Sequence, residues 1–303
     1  MIKLVVEINK HESRIIEETL FELAPHNWTI HFNRRNKSHR IEGVFRSESL
    51  ATKAANELNN FLDFKNDLNF KFEELCPTDW KNSYKHHFKV WNLTNYFFIP
   101  AWEKELFKVP PQSTSIFIDP GMAFGTGTHE TTRLCLELMH EAFTFQKLLD
   151  FNLVDIGCGS GILSIFARKL GFQKVLGIDH DQDSISNAQS NQVLNEIDSG
   201  LDFMLMDLQR LDDMKFNCVI VNIQADVLLE NSHRIINLLS EESTLILSGI
   251  LSFEAKDVEQ HYENIMKTAG INSTIELTEK GQWSAIKINC YSRIKNQPQR
   301  KTI

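Results

Sequence analysis

The segment from Leu153 to Asp179 constrains the fold more than any other part of this chain. It begins with the apolar residues of a strand at 153–156 and then breaks at a run rich in glycine. Apolar residues recur at helical spacing as far as Leu170, Gly171 is suited to end that helix, and a second apolar strand leads to Asp179. This order of strand, glycine-rich turn, helix, strand and acid predicts a βαβ unit with a nucleotide-type ligand at its first turn.

The turn carries Gly157, Gly159 and Gly161, a spacing that differs from two familiar phosphate-binding turns. A dinucleotide turn has its third glycine one position later, and a P-loop continues into Lys-Ser or Lys-Thr. Glycine supplies backbone without Cβ atoms, and Asp179, at about the 20-residue spacing, can accept hydrogen bonds from both ribose hydroxyls. Asp155 would repel a pyrophosphate but can hold a cationic amino-acid group. We therefore predict S-adenosyl-L-methionine, which carries an ammonium and a sulfonium, as the cofactor.

The pattern Asp-x-Gly-x-Gly-x-Gly followed by Asp179 resembles the class I methyltransferases. This resemblance implies an α/β fold with a Rossmann-like sheet and helices on both faces. Two closing strands without a helix between them predict an antiparallel hairpin at one edge of the sheet. The elements predicted after Asp179 are helix 183–192, strand 202–206, strand 217–221, helix 226–239, strand 244–247, helix 253–269 and strands 271–277 and 283–288.

Residues 1–75 are predicted to form a separate small α+β domain with the ferredoxin-like order β-α-β-β-α-β. An RNA-recognition domain of this order needs stacking aromatic residues on its central strands, and strand 41–45 does not match that signature. We interpret this domain as protein-recognising or structural, with RNA contact as the secondary alternative.

The remaining boundaries follow from changes in composition. Residues 76–110 are rich in aromatic residues and interrupted by prolines, which favours a packed linker over a surface that presents aromatics to a partner. The methyltransferase domain is predicted over 111–290. Residues 291–303 carry basic residues without an acid and are predicted to be a solvated tail.

A second stretch rich in glycine and threonine follows the predicted strand at 116–118 and leads into helix 131–142. Its small polar donors and the free amides at the start of that helix predict a lid or floor for the ligand. The stretch, PGMAFGTGTHETTRLC at 120–135, is similar to the signature of the ribosomal protein L11 methyltransferase (PrmA) family.

Other parts of the chain are similar to the same family. Residues 155–163 resemble its cofactor turn, and Asn222-Ile223 resembles the Asn-Ile motif that ends its fourth strand. Trp80-Lys81 and residues 100–102 resemble its linker. Three residues depart from the family pattern: Glu130 replaces the usual Pro after the His, and Gln224 and Asp226 depart from the usual Leu-Ala-x-Pro continuation.

The resemblance implies transfer of methyl groups to lysine side-chain and N-terminal amines of a ribosomal protein, either free or bound to the ribosome. It implies that Thr132, Gly157, Asp179 and Asn222 contact the cofactor, and Asp207 corresponds to an acid that contacts the adenine amino group in related methyltransferases. Asn222, at the C-terminal end of a strand, is also the predicted catalytic residue, because it can orient the lone pair of an acceptor amine. The predicted cofactor-binding set is Thr132, Asp155, Gly157, Gly159, Gly161, Asp179, Asp207 and Asn222.

Composition limits the alternatives. The net charge of −8 disfavours steering toward nucleic acid, so no DNA partner is expected. The five cysteines lack C-x-x-C spacing and no H-E-x-x-H is present, so neither disulfides nor a metal site is expected. Without a signal peptide or an apolar run near the roughly 20 residues of a spanning helix, we expect a cytoplasmic protein without membrane contact.

The fourth predicted strand ends in Asn-Ile-Gln-Ala, which differs from the Asp/Asn-Pro-Pro-Tyr of enzymes that methylate exocyclic amines of nucleic acids. The alternatives that stay open are a methyltransferase of the same fold acting on another protein, a small molecule or RNA, and a non-catalytic protein that binds a partner.

Overall fold

The computed structural model describes residues 2–9, 12–13, 15–16, 28–33, 38–45, 47–62, 68–74, 88–119 and 129–291. The chain divides into two compact units, Met1–His87 and Phe88–Ile303. Three predicted segments lie wholly or partly outside the described residues: the linker as far as residue 87, the signature residues 120–128 and the tail beyond residue 291.

The first unit contains an antiparallel sheet whose strands lie side by side in the order β2-β3-β1-β4. This is the spatial order of a ferredoxin-like sheet, the arrangement that the sequence predicts. A helix, α1 (Glu48–Phe61), begins after Ser47, whose Oγ accepts the N–H of Leu50. Leu4, Ile41 and Leu58 are buried in the core between this helix and the sheet. The strands are β1 (Ile2–Ile8), β2 (Trp28–Asn33), β3 (Ser38–Phe45) and β4 (Lys71–Glu74).

The second unit begins with a three-stranded sheet of β5 (Trp91–Leu93), β6 (Tyr96–Pro100) and β7 (Thr114–Ile118), in which β6 and β7 run parallel. Residues 88–110, which the sequence assigns to a linker, therefore contribute two strands to this unit. The physical reason is that Tyr96 and Phe98 are buried in the same hydrophobic core as the helices that follow.

The main sheet has seven strands in the order β10-β9-β8-β11-β12-β14-β13. Only β14 runs antiparallel to the other strands, and it pairs with β12 on one side and β13 on the other. The strands β13 and β14 form the predicted hairpin at the edge of the sheet. The strand order reverses between the neighbours β8 and β11, and ligands of open α/β sheets bind at such a switch point. The strands are β8 (Asn152–Ile156), β9 (Lys174–Asp179), β10 (Leu201–Leu205), β11 (Phe216–Asn222), β12 (Leu239–Leu251), β13 (Asn272–Lys280) and β14 (Trp283–Tyr291).

Helices cover both faces of this sheet, which confirms the predicted α/β class. One core packs α2, α3 and α4 against one face, and a second packs α5, α6 and α7 against the other. The predicted helix 226–239 is divided at Asn231, whose Nδ2 donates to the Val227 carbonyl and ends the first segment. The helices are α2 (Glu130–Phe143), α3 (Ile162–Leu170), α4 (Gln182–Leu194), α5 (Ala225–Glu230), α6 (Ser232–Asn237) and α7 (Ala255–Thr268). In the part of the chain that is described, none of the helices has the length and apolar character needed to cross a bilayer.

Candidate cofactor and acceptor site

The glycine-rich turn after β8 is fastened to the end of β9 by backbone hydrogen bonds. The N–H groups of Gly157 and Cys158 both donate to the carbonyl of Ile178 at 2.9 Å, and the N–H of Gly161 donates to the Cys158 carbonyl at 2.8 Å. The three glycines have φ values of +71°, +52° and +78°. Side chains are strained in this left-handed region, so the conformation of the turn depends on glycine.

Close packing requires glycine at both ends of the turn. A Cβ on Gly157 would lie 2.9 Å from Cγ2 of Ile223, which follows β11, and a Cβ on Gly161 would lie 2.6 Å from Cζ of Phe203 in β10. The turn is therefore packed between Ile223, which follows β11, and Phe203 of β10. An added methyl group at either position would collide with these side chains.

Asp179 ends β9 with its carboxylate held in place by two backbone groups. Oδ2 accepts the N–H of Gly159 and Oδ1 accepts the N–H of Asp181, both at 3.0 Å. The residue is only 8% exposed. Each carboxylate oxygen has about two lone pairs, so each can accept one further hydrogen bond. A fixed pair of acceptors beside a bare turn suits the two hydroxyls of a ribose.

Among the described residues of the second unit, four buried side-chain oxygens have no hydrogen-bond partner: Thr132 Oγ1, Asp155 Oδ1, Asn187 Oδ1 and Asn222 Oδ1. Buried polar atoms are normally satisfied, and leaving one without a partner costs about 1–3 kcal/mol. Three of the four, all except Asn187, belong to the residues that the sequence assigns to the cofactor or the acceptor. Unsatisfied oxygens at these positions fit a site that binds hydrogen-bond donors.

Asn222 and Gly157 lie side by side at the carboxyl ends of neighbouring strands, because Ile156 pairs with Val221 immediately before them. Asn222 alternates with Val221, whose side chain faces the α5–α7 core, so Asn222 faces the opposite side of the sheet, where α2 lies. Thr132 is in the first turn of α2. The structure thus brings Asn222 and Thr132 to the same face of the sheet.

Asp155 lies deeper than its neighbours, at 1% exposure, and Oγ of Ser164 donates to its Oδ2 at 2.6 Å. Burial raises the pKa of Asp155 to about 7, although the hydrogen bond from Ser164 opposes the shift. Burial likewise raises the pKa of Cys135 and Cys218, and the charge of Asp155 adds to both shifts. Asp155 therefore lies in the core between the sheet and α2, on the buried side of the site.

Asp207 is the one predicted site residue that the structure leaves exposed. It follows β10 at the same edge of the sheet as Asp179, since the N–H of Met206 donates to the Asp179 carbonyl at 2.9 Å. Its side chain is therefore available at the rim of the site and is not part of the buried group.

The structure also shows which side chains contact the site residues. Ser164 holds Asp155, and Ile223 packs against the turn. His129 caps α2, its ring packs on that of Trp283 with centroids 4.8 Å apart, and burial lowers the pKa of His129. The contacts of Ser164 with Asp155, of Ile223 with Gly157 and of His129 with Trp283 join residues that are apart in sequence, so none of these contacts has a local signal.

The three departures from the family pattern all lie at the starts of helices. Glu130 is the first residue of α2 and is exposed, and a proline or an acid is equally suited to that position. Gln224 precedes α5, and Oδ1 of Asp226 accepts the N–H of Val227 at 2.9 Å in its first turn. Local helix chemistry therefore accommodates these residues.

Among the described residues, no group of His, Cys, Asp and Glu side chains is arranged to hold a metal ion.

Comparisons with known proteins agree with this fold. A family model described as ribosomal protein L11 methyltransferase (PrmA) matches residues 4–290. A protein of that name from Caldicellulosiruptor saccharolyticus is 35% identical over 216 residues, which are 70% of this chain and 66% of the relative. One from Photobacterium profundum is 34% identical over 225 residues, 74% of each chain. The crystal structure of a ribosomal protein L11 methylase from Lactobacillus delbrueckii subsp. bulgaricus matches with a TM-score of 0.58 and 29% identity, covering 67% of this chain and 100% of that one.

Proposed function

This chain belongs to the ribosomal protein L11 methyltransferase family, and from that premise we propose that it transfers methyl groups from S-adenosyl-L-methionine to amines of ribosomal protein L11. The acceptors are lysine side chains and the N-terminal amine, on the free protein or on the ribosome, with RNA contact secondary. Because the acceptor is a ribosomal protein, we place the activity in the cytoplasm. The observation that carries the proposal is the bond between Gly159 and Asp179 beside the unsatisfied oxygen of Asn222.

The residues of the turn are suited to hold this cofactor, which supplies an electrophilic methyl group when bound. Asp179 accepts the ribose hydroxyls on its remaining lone pairs, and the glycines allow close approach of the ligand to the backbone. Thr132 would offer its unsatisfied hydroxyl, and Asp207, exposed at the rim, would accept the adenine amino group. The positive charge of a bound cofactor would lower the pKa of Asp155, whose ionised form would balance that charge.

Asn222 receives the acceptor amine. An amine must be neutral to act as a nucleophile, and a free lysine side chain titrates near 10.4. The buried Oδ1 of Asn222 would accept an N–H of the neutral amine and thereby orient its lone pair for attack on the methyl group that the cofactor would supply. The surroundings of this oxygen exclude water, which favours the neutral form of the amine. The proton leaves to solvent before the amine enters, so no side chain has to serve as a general base.

A transfer assay tests the proposal. The full chain is incubated with methyl-labelled S-adenosyl-L-methionine and purified L11, in parallel with whole large ribosomal subunits and with ribosomal RNA. We expect label on L11 and mapping of the label by mass spectrometry to lysine and N-terminal amines. Label on RNA alone, or on another protein while L11 stays unlabelled, would identify a different acceptor and overturn the proposal. Asp179→Ala serves as the cofactor-deficient control.

A further inference from the structure

Helix α4 and the residue after it carry three asparagines at helical spacing, Asn187, Asn191 and Asn195. Residues four apart lie on the same face of a helix, so their amides form a row. Asn191 and Asn195 are buried, and the row lies against β7 and the residue that follows it.

The amides of this row pair with the backbone of β7. Oδ1 of Asn195 accepts the N–H of Phe117 at 2.8 Å and its Nδ2 donates to the Phe117 carbonyl at 2.6 Å. Asn191 makes the same pair of bonds to Asp119, at 2.8 and 3.0 Å. Phe117 and Asp119 are two residues apart and present their backbone groups to the same edge. The side chains thus take the place of a neighbouring strand along one edge of β7, whose other edge pairs with β6.

The two asparagines differ in a single hydrogen bond. The remaining donor of Asn195 bonds at 2.8 Å to the carbonyl of Asn191, within its own helical segment. The remaining donor of Asn191 bonds at 2.9 Å to the carbonyl of Ser160, which lies between Gly159 and Gly161 in the cofactor turn. One buried amide therefore joins three backbone groups in two separate segments, the cofactor turn and the residue that follows β7.

We propose that Asn191 is a positioning residue for the cofactor, an inference that rests on the proposed function. By holding the Ser160 carbonyl it fixes the Ser160–Gly161 peptide group, whose N–H donates to the Cys158 carbonyl, and in this way it supports the turn whose Gly159 N–H bonds Asp179. By pairing with Asp119 it also ties that turn to the residue at which the chain leaves β7. The amide uses both donors and its acceptor in this arrangement, so no other side chain of similar size reproduces it.

Asn195 supplies a matched control, because it makes an equal set of bonds without contacting the turn. We compare Asn191→Ala and Asn195→Ala in the full chain, measuring thermal unfolding without ligand and the affinity for S-adenosyl-L-methionine by calorimetry. Both variants lose stability to a similar extent. We expect Asn191→Ala to weaken cofactor binding about tenfold or more and Asn195→Ala to change it by no more than about twofold. In the transfer assay, the KM for the cofactor rises in Asn191→Ala, and saturating cofactor restores most of kcat.

An equal loss of cofactor affinity in both variants, or an unchanged affinity in Asn191→Ala, overturns the inference and leaves the row of asparagines with a structural role. Should Asn191→Ala not fold, Asn191→Asp keeps the size and the acceptor for the Asp119 N–H but presents an oxygen to the Ser160 carbonyl, and we expect the same loss of affinity from it. Absence of binding by the unmodified chain would overturn the proposed function itself and this inference with it.

Discussion

The backbone N–H of Gly159 donates a 3.0 Å hydrogen bond to Oδ2 of Asp179, 20 residues later in the chain. This bond connects the turn that follows β8 to Asp179, the acid that ends β9. Because Oδ1 is held by the N–H of Asp181 as well, the carboxylate keeps its orientation before any ligand arrives. Preorganisation of this kind improves affinity, since little side-chain freedom is lost on binding.

The first prediction concerns this carboxylate. Asp179→Ala removes the acceptors for two backbone donors and for the ribose, so we expect cofactor affinity to fall by about tenfold or more, together with the melting temperature. Calorimetric titration with S-adenosyl-L-methionine measures the first effect. Asp207→Ala is the control, because its exposed side chain contributes from the rim and its loss should be smaller. Affinity that stays nearly unchanged in Asp179→Ala would remove Asp179 from the site.

The second prediction separates catalysis from cofactor binding. Asn222→Ala removes the oxygen that we propose orients the acceptor amine, and we expect kcat to fall by about a hundredfold while cofactor affinity changes little. Asn217, at the opposite end of β11, exchanges hydrogen bonds with Asn152 at 3.0 and 3.1 Å and provides a control of the same residue type. Asn217→Ala should reduce stability without changing kcat. A parallel loss of kcat and of cofactor affinity in Asn222→Ala would assign Asn222 to cofactor binding alone.

Sequence patterns predicted the elements around the turn closely, because each depends on neighbouring residues. Apolar runs define β8 and β9, and the glycines and Asp179 lie where their spacing placed them. The break at Asn231 and the strands within 88–110 were missed, since the first depends on one side-chain bond and the second on burial of aromatics against distant helices.

The supporting contacts of the site could not be predicted. Ser164 and Asn191 are ordinary polar residues of helices in the sequence, and their partners Asp155 and Ser160 are 9 and 31 residues away. Only the folded sheet and helices bring these atoms together. The spacing of Asn187, Asn191 and Asn195 was a visible signal, but a polar stripe on a helix more often faces solvent. The roles of the site residues in binding and catalysis stay predictions until the variants are measured.

The third prediction follows from the pKa of Asp155. Burial raises it from 3.8 to about 7, so the folded chain binds a proton that the unfolded chain releases. This contribution to stability is complete below about pH 4 and is lost as the pH rises through 7. Asp155→Asn removes the titrating group, so the variant should not lose this stability as the pH rises. Between about pH 4 and 7, the unfolding free energy of the variant minus that of the unmodified chain should therefore increase by at most about 1.4 kcal/mol per pH unit. Urea unfolding without cofactor measures the difference, and a difference that is independent of pH would contradict the assignment.

The fourth prediction compares two ion-pair systems that join α2 to the edge hairpin. Lys287, with a side chain only 5% exposed, bonds Glu276 at 2.8 Å and Glu141 at 3.0 Å, whereas Lys280 pairs with Glu137 through side chains that are 36% and 42% exposed. Truncating the buried lysine leaves two carboxylates facing each other and a cavity. We expect Lys287→Ala to cost about 1–3 kcal/mol and Lys280→Ala about 0–1 kcal/mol.

Chemical denaturation of both lysine variants in low and high salt checks this comparison. The effect of Lys280→Ala should shrink at high salt, because exposed charges are screened, and that of Lys287→Ala should persist. Equal costs for the two variants would show that burial does not decide the contribution of these pairs.

The fifth prediction tests whether the turn and the residue after Asn222 are packed as closely as the structure indicates. Gly157→Ala introduces two separate penalties: a side chain at φ +71°, worth roughly 1–2 kcal/mol, and a Cβ 2.9 Å from Cγ2 of Ile223. The contact pushes Ile223 away from the turn and moves Asn222 with it. We therefore expect Gly157→Ala to lower both stability and kcat.

A double-mutant cycle with Ile223→Ala separates the two penalties. Shortening Ile223 removes the atom that the new Cβ would meet, so the double variant should be more stable than the sum of the single effects predicts, by about 0.5–3 kcal/mol. The backbone strain remains in the double variant, because φ at position 157 is set by the two bonds to the Ile178 carbonyl and not by Ile223. Additive effects would mean that the turn has room for a methyl group, and the turn would then no longer explain why glycine stands beside Asn222. Positive coupling in stability accompanied by partial recovery of kcat would link the packing of Ile223 to the placement of the acceptor-binding oxygen.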